Sequence, residues 1–366
     1  MHDDSGRWTT RQPWQRQRGA SLAPDRTGST LGSFSLVQRR GSQRGVETYV
    51  AHASDRFGAE RVVQLRCPRI GGEQDRSIRE ALRREAFTGA RLQHANVATP
   101  DGLHETDDGT LFVTRAYTER VSLRELLQHA CLKRDPFPLD MSLSLLVQLC
   151  AGVEHIHRGG DAGVRLRHQR LVPESIEVSF EGTAFVDALE SVLWPNEAST
   201  WRLEDERYVA PERMAGHHTA HSDLFALGKL LETLTVGIAT RHDVMALPRP
   251  ASNFVDALRP LIARATHPSP TERFASARQL QVALEEFATR RKIALSSSVV
   301  RRLLKRRLDR EAFMRDTRRA LKDAHEAARR RLRRPPTPAA PPPAENWDFL
   351  SPGLDDLELI DLSLAK

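Results

Sequence analysis

Between residues 34 and 117 apolar and polar residues alternate in short runs, FSLVQRR (34–40), VETYVAHA (46–53), RVVQLRC (61–67) and GTLFVTRAY (109–117). A period of two predicts strands that bury one face. The run is interrupted at about 76–93 by a stretch with helical spacing. From about 122 to 289 the longer period dominates: SLRELLQHA, then MSLSLLVQLCAGVEHIHRG, which puts Leu143, Leu146, Val147, Cys150 and Val153 on one face. SDLFALGKLLETLTVG (222–237), NFVDALRPLIARAT (253–266) and SARQLQVALEEFATRRKI (276–293) predict further helices. Two short strands, IEVSF (176–180) and TAFVD (183–187), flank the turn pair Glu181-Gly182 and predict a hairpin. A small sheet carrying one helix, followed by a larger helical region, is an α+β arrangement.

The flanks have a different character. Residues 1–32 are polar, with isolated Trp8 and Trp14, and predict a disordered lead-in. Residues 298–333 predict a long Arg-rich helix, with Val300, Leu304, Leu308, Met314, Leu321, Ala324, Ala328 and Leu332 at roughly 3.5-residue spacing. PPTPAAPPPA (335–344) predicts an extended linker, and the tail after it mixes acids with Trp347, Phe349, Leu350, Leu354, Leu357, Leu359, Ile360 and Leu362. The expected organisation is a lead-in (1–32), a sheet lobe (33–117), a helical lobe (118–293), a basic helix (294–334), a linker (335–344) and an acidic tail (345–366).

Charge sharpens that division. The 366-residue chain carries +7, but 290–334 holds +13 and 335–366 holds −5, so 1–289 is nearly neutral at −1. A neutral body argues against a dedicated nucleic-acid-binding domain and confines polyanion binding to the basic helix. Three scattered cysteines, Cys67, Cys131 and Cys150, form neither a disulfide framework nor a zinc motif. No signal sequence and no run of 18 apolar residues is visible, so a cytoplasmic protein without a membrane span is expected.

Several segments in order resemble a protein kinase domain of the bacterial serine/threonine type, over about 34–289. YVAPERM (208–214) is similar to the end of an activation loop, and SDLFALG (222–228) to the start of a buried central helix, with Asp223 capping backbone amides and Gly228 within it. SPTERFAS (269–276) resembles the late-domain arginine segment, which implies that Arg273 pairs with Glu212. LRREAFTGARLQHANV (82–97) resembles the regulatory helix and implies Glu85 as its glutamate. RGSQRGVETYVA (40–51) stands at the glycine-rich loop, VQLR (63–66) at the third strand, HQRLVPESIEV (168–178) at the catalytic loop, and Asp187 at the metal-binding position. The fold implied is bilobal.

The structural landmarks are kept and the chemical ones are altered. Phosphoryl transfer needs a loop over the phosphates, a lysine held by a helix glutamate, metal ligands and a carboxylate facing the substrate hydroxyl. Gly41 is in place, but Gln43 and Val46 stand at the next glycine positions, with Gly45 one position early. Arg66 replaces the lysine and is expected to pair with Glu85. On the catalytic loop the resemblance aligns His168 with the histidine, Gln169 with the arginine, Arg170 with the base, Val172 with the lysine and Ser175 with the asparagine. Arginine stays protonated and accepts no proton. Asp187 is read either as the holder of one cation or as an aspartate that ends a strand. Arg115, which the resemblance places near the back of the adenine pocket, needs solvent or a carboxylate partner, for which Glu85 is a candidate.

Gln169 also removes the grip on a phosphorylated activation loop, so Ser191, Ser199 and Thr200 are not expected to switch the domain by that route. Pro248 and Pro250 in the brief stretch 237–255 predict a reduced substrate-docking platform. His94, His168 and the pair His217-His218 show no metal-ligand pattern and are read as structural or surface residues. The basic helix has three readings: a seam packing on the helical lobe or a partner, a site for nucleic acid or anionic lipid, and a dock for the acidic tail. The tail is either a helix-in-groove ligand or a solubilising end.

The expected function is that of a pseudokinase, a scaffold or allosteric partner for other signalling proteins through its lobes, basic helix or acidic tail. The alternatives are a divergent kinase holding ATP with Mg2+ or Mn2+ weakly, and an adaptor for nucleic acid or anionic lipid.

Overall fold

A computed structural model describes residues 25–332 apart from 44, 55–59, 160–165, 188–205, 218 and 237–253. The alternating segments form an antiparallel sheet in the order β1-β2-β3-β4-β7-β6. Its strands are β1 (Thr30–Leu31), β2 (Phe34–Gln43), β3 (Val46–Ser54), β4 (Glu60–Pro68), β6 (Gly102–Glu105) and β7 (Leu111–Ala116). One face buries Phe34, Leu36, Tyr49, Val63, Leu65 and Phe112. The other packs Val46, Leu111 and Val113 against Ile78 and Leu82 of α1 (Arg76–Arg91). The α1 helix begins where the Asp75 carboxylate accepts the amides of Ser77 and Ile78, which otherwise lack partners at a helix start. Residues 25–32 belong to this lobe, with Arg26 paired to Glu73, so the expected disordered lead-in does not hold for them. Residues 1–24 lie outside the described residues.

The second lobe is built around α3 (Leu139–Arg158), which buries eleven residues and ends at Gly159. Around it stand α2 (Leu123–Lys133), opened by a Ser122/Glu125 capping box, α4 (Pro211–Met214), α5 (Ala220–Thr235), α6 (Phe254–Ala265) and α7 (Ala277–Arg290). The close approach of α5 and α6 depends on Gly228, where a Cβ would stand 2.6 Å from that of Ala265. A second sheet, β5-β10-β9-β8, joins β5 (Val97–Ala98), β8 (Arg120–Ser122), β9 (Ile176–Ser179) and β10 (Ala184–Asp187). The β9–β10 hairpin turns at Gly182, whose φ of +89° suits a residue without a Cβ.

The Arg-rich segment is two helices rather than one. α8 (Ser297–Arg307) and α9 (Arg310–Leu332) are separated at Leu308, which is extended, and Asp309, whose carboxylate accepts the Ala312 amide at 3.1 Å. Val299, Val300, Leu303, Leu304, Leu308 and Met314 join the core of the helical lobe. Ser297 carbonyl would stand 2.0 Å from a Cβ at Gly182, so α8 is laid directly on the hairpin turn. α9 then runs past both lobes: Phe313 packs edge-on to Phe180, Arg318 and Arg310 grip Glu119, and Thr317 Oγ1 donates to Gln38 Oε1 of β2 at 2.5 Å. The proline linker and the acidic tail lie outside the described residues.

Because Leu304 is fully enclosed by the lobe it caps, Leu304→Ala is expected to cost about 2–4 kcal/mol of stability in urea unfolding. A loss under about 0.5 kcal/mol would mean that α8 is not part of the core.

Candidate functional site

The cleft between the lobes is lined from β4, α1, β7, β9 and β10. Arg66 on β4 meets Glu85 on the inner face of α1, Nη1 to Oε1 at 2.7 Å, the pair that the resemblance implies. Glu85 is 3% exposed, and burial pushes its carboxyl above the ordinary range despite the nearby guanidinium of Arg66. Arg115 on β7 does not take Glu85 as its partner. Its Nε donates to Gln64 Oε1 at 2.5 Å, Nη2 reaches Glu177 Oε2 on β9 at 3.1 Å, and Nη1 lies 3.5 Å from Asp187 Oδ2 at the end of β10. The reason is position: Glu85 is already held by Arg66, while the β9–β10 hairpin presents two carboxylates toward β7. Arg120 closes the group, pairing with Glu177 at 3.1 Å and stacking 3.8 Å over the Phe185 ring.

Below the cleft, the Asp223 carboxylate on α5 accepts the amides of His168 and Gln169 at 2.8 and 2.9 Å and the His157 imidazole at 2.8 Å. Burial alone would raise this carboxyl, but the His157 hydrogen bond and the neighbouring histidines hold it below its ordinary value. These contacts secure Gln169 at φ +63°. His168 is buried, its Nε2 2.6 Å from the Asp187 carbonyl, and burial pushes its pKa down. Glu212 receives a two-pronged pair from Arg273 at 2.7 and 2.8 Å and a hydrogen bond from Ser222. Asp223 thus contacts the amides of the 168–169 loop, and Arg273 contacts Glu212.

The chemical positions are arranged otherwise. Arg170 is half-buried, with Arg213 close enough that their like charges interact. Burial, opposed by Asp223 and reinforced by Arg170, pushes the Arg213 guanidinium down to about 10. Val172 is 1% exposed and joins the hydrophobic core of the second lobe. Ser175 folds its hydroxyl into its own turn, its single proton shared between the carbonyls of Arg170 and Val172, each 2.9 Å away, while its oxygen accepts the Val172 amide. Gly41 pairs with Thr48 in the β2–β3 ladder beside an irregularity in register, and Gly45 forms the turn at φ +79°. Arg44, the segment after Asp187 with Ser191, Ser199 and Thr200, and Pro248 and Pro250 are outside the described residues.

A hard cation seeks several oxygens; of the oxygen donors aligned with that role, Asp187 lies against the Arg115 guanidinium and the Ser175 hydroxyl is bonded within its own turn. Gln64, Arg120 and Glu177 are the members that sequence reading missed. Their signal is an opposite charge inside each of two apolar strands, Arg115 in LFVTRA and Glu177 in IEVSF.

No protein-family model matches the chain. It is similar to the serine/threonine-protein kinase PknE of Mycobacterium bovis, 26% identical over 279 residues, which cover 71% of this chain and 47% of that protein. PknD of Mycobacterium tuberculosis is 24% identical over 302 residues (77% and 44%), and PksC of Streptomyces coelicolor 28% over 237 residues (58% and 41%). The chain thus spans less than half the length of these relatives. Among solved structures, the kinase domain of Mycobacterium tuberculosis PknI superposes with a TM-score of 0.51 at 20% identity, covering 72% of this chain and 98% of that one. That likeness shows the bilobal protein-kinase fold.

Removing one member of a desolvated ion group leaves its partners uncompensated, so Arg115→Met is expected to destabilise by about 3–5 kcal/mol. Pairing it with Glu177→Leu should return most of the loss, and the coupling is read from a double-mutant cycle of urea midpoints. Additive losses would show that the two side chains do not act together.

Proposed function

We propose that the protein kinase domain of bacterial serine/threonine type carried by this chain works as a pseudokinase, a signalling scaffold or allosteric partner rather than a phosphotransferase. The observation that carries this reading is the Arg115 group: a guanidinium bridges Glu177 and Asp187 across the cleft. Phosphoryl transfer relies on positioned metal ions and cationic side chains around the phosphates. Here the cationic side chains of the cleft are met by carboxylates of the chain itself. Arg170 at the base position and Val172 in the core support the same reading.

Its partners are other proteins, met through the lobes or the C-terminal segments. The arginines of α8 and α9 favour that over nucleic acid or anionic lipid, because Arg307 pairs with Asp135, Arg310 and Arg318 with Glu119, and Arg301 with Glu181. The reading includes a cytoplasmic location. Among the described residues one helix, Leu139–Arg158, is long and apolar enough to cross a membrane, and it is α3, packed in the core. A divergent kinase is the second reading, favoured by the Arg66–Glu85 pair, which keeps α1 turned toward the sheet.

A nucleotide present at 100 times its dissociation constant would stabilise the fold by about 2.7 kcal/mol. For a domain of this size that raises Tm by roughly 5–10 °C. The full chain is expected to show no such rise with ATP at millimolar concentration, with or without Mg2+ or Mn2+, and no incorporation of labelled phosphate. A metal-dependent rise, with phosphate transfer lost in Asp187→Ala, would overturn the pseudokinase reading in favour of the divergent kinase.

A further inference from the structure

Away from the cleft, three side chains from distant parts of the sequence converge at the edge of the first lobe: His52 on β3, Glu60 at the start of β4, and His325 on α9. The β3–β4 register sets Ser54 opposite Glu60 and His52 opposite Val62, which brings the first two together across the hairpin. Glu60 Oε2 touches His325 Nδ1 and stands 3.8 Å from His52 Nε2. The three ligand atoms all lie within 4.8 Å of one another, and the imidazole rings are 6.1 Å apart at 67°. His52 is 3% exposed, and its Nε2 is buried without a hydrogen-bond partner. A buried ring nitrogen aimed at a carboxylate it does not reach is a costly arrangement unless something fills the gap.

We propose that His52, Glu60 and His325 form a binding site for a divalent metal ion of the zinc class. Two imidazole nitrogens and one carboxylate oxygen are the donors of a borderline cation, whereas magnesium and calcium seek oxygens. At zinc–ligand lengths of 2.0–2.1 Å, neighbouring ligand atoms in a tetrahedron lie about 3.3 Å apart. His52 therefore closes by about 0.5–1.5 Å on the other two, while Glu60 and His325, already in contact, part by about 1 Å to admit the ion, both within the reach of side-chain rotation. Glu60 and His325 are partly exposed, so the fourth position opens to water. Because two ligands sit on the sheet and the third on α9, the bound ion ties the C-terminal helix to the first lobe.

The test uses the full chain, stripped with a chelator and titrated with zinc chloride in a calorimeter. One ion per chain is expected, with affinity falling at least about tenfold in both His325→Ala and Glu60→Gln. These positions are partly exposed, so the fold should survive, and thermal unfolding of the metal-free variants checks that it does. Zinc should also slow tryptic cleavage at Arg318 and Lys322 in the unaltered chain and not in His325→Ala. No zinc binding, or binding unchanged in both variants, would overturn the site, the latter sending the ion elsewhere, for instance to the stacked pair His94 and His155. Magnesium binding as tightly as zinc would overturn the assignment of ion class.

Discussion

A guanidinium taken out of water must be met by carboxylates, and at Arg115 that demand shapes the cleft. Its strand belongs to the first lobe, while Glu177 and Asp187 belong to the hairpin of the second. The surrounding charges are balanced, Arg66, Arg115 and Arg120 facing Glu85, Glu177 and Asp187. A balanced, partly desolvated group draws the lobes together without a ligand.

The scaffold of the second lobe answers to a different constraint. Asp223 satisfies two backbone amides of the loop at 168–169, and Arg273 with Glu212 fastens the segment before α5. Neither task involves a phosphate or a metal, since both satisfy groups that the fold itself has buried. Loss of any one of these partners would leave a buried charge or amide unmet. Arg170, at the position aligned with the base, is half-buried near Arg213, and Val172 adds apolar contact to the core. This asymmetry explains how a chain can keep the landmarks of a fold while its chemical positions change.

The same asymmetry governs what could be read from the sequence. The long strands and helices follow from period alone, whereas Arg66–Glu85, Glu212–Arg273 and the Asp223 cap were legible only through the resemblance to a protein kinase domain. The strands β5, β6 and β8 span only two to four residues, too few to display a period. The break at 308–309 was hidden because the apolar spacing runs on from Leu304 through Leu308 to Met314, with Asp309 as the one sign of a new helix start. The partner of Arg115 was illegible for a geometric reason. Glu85 and Glu177 are both carboxylates of suitable reach, and only the packing of the hairpin against β7 decides between them.

Helix α9 couples the two constraints. Glu119 lies in the segment joining β7 to β8, the covalent link between the lobes, and Arg318 donates to both its oxygens, at 2.6 and 2.8 Å. That hydrogen bonding, together with Arg310 and against partial burial, holds the Glu119 carboxyl below its ordinary value. The residue before it, Thr317, reaches Gln38 on the first lobe, while Phe313 packs on Phe180 of the second. A rigid helix fastened to both lobes and to their link resists a change in the angle between them. Each of these pairs is individually weak where it is exposed to solvent, but α9 continues from α8, whose apolar face is buried in the core. The resistance to lobe movement therefore rests on hydrophobic burial in the second lobe, with the arginines setting where along the link it is applied.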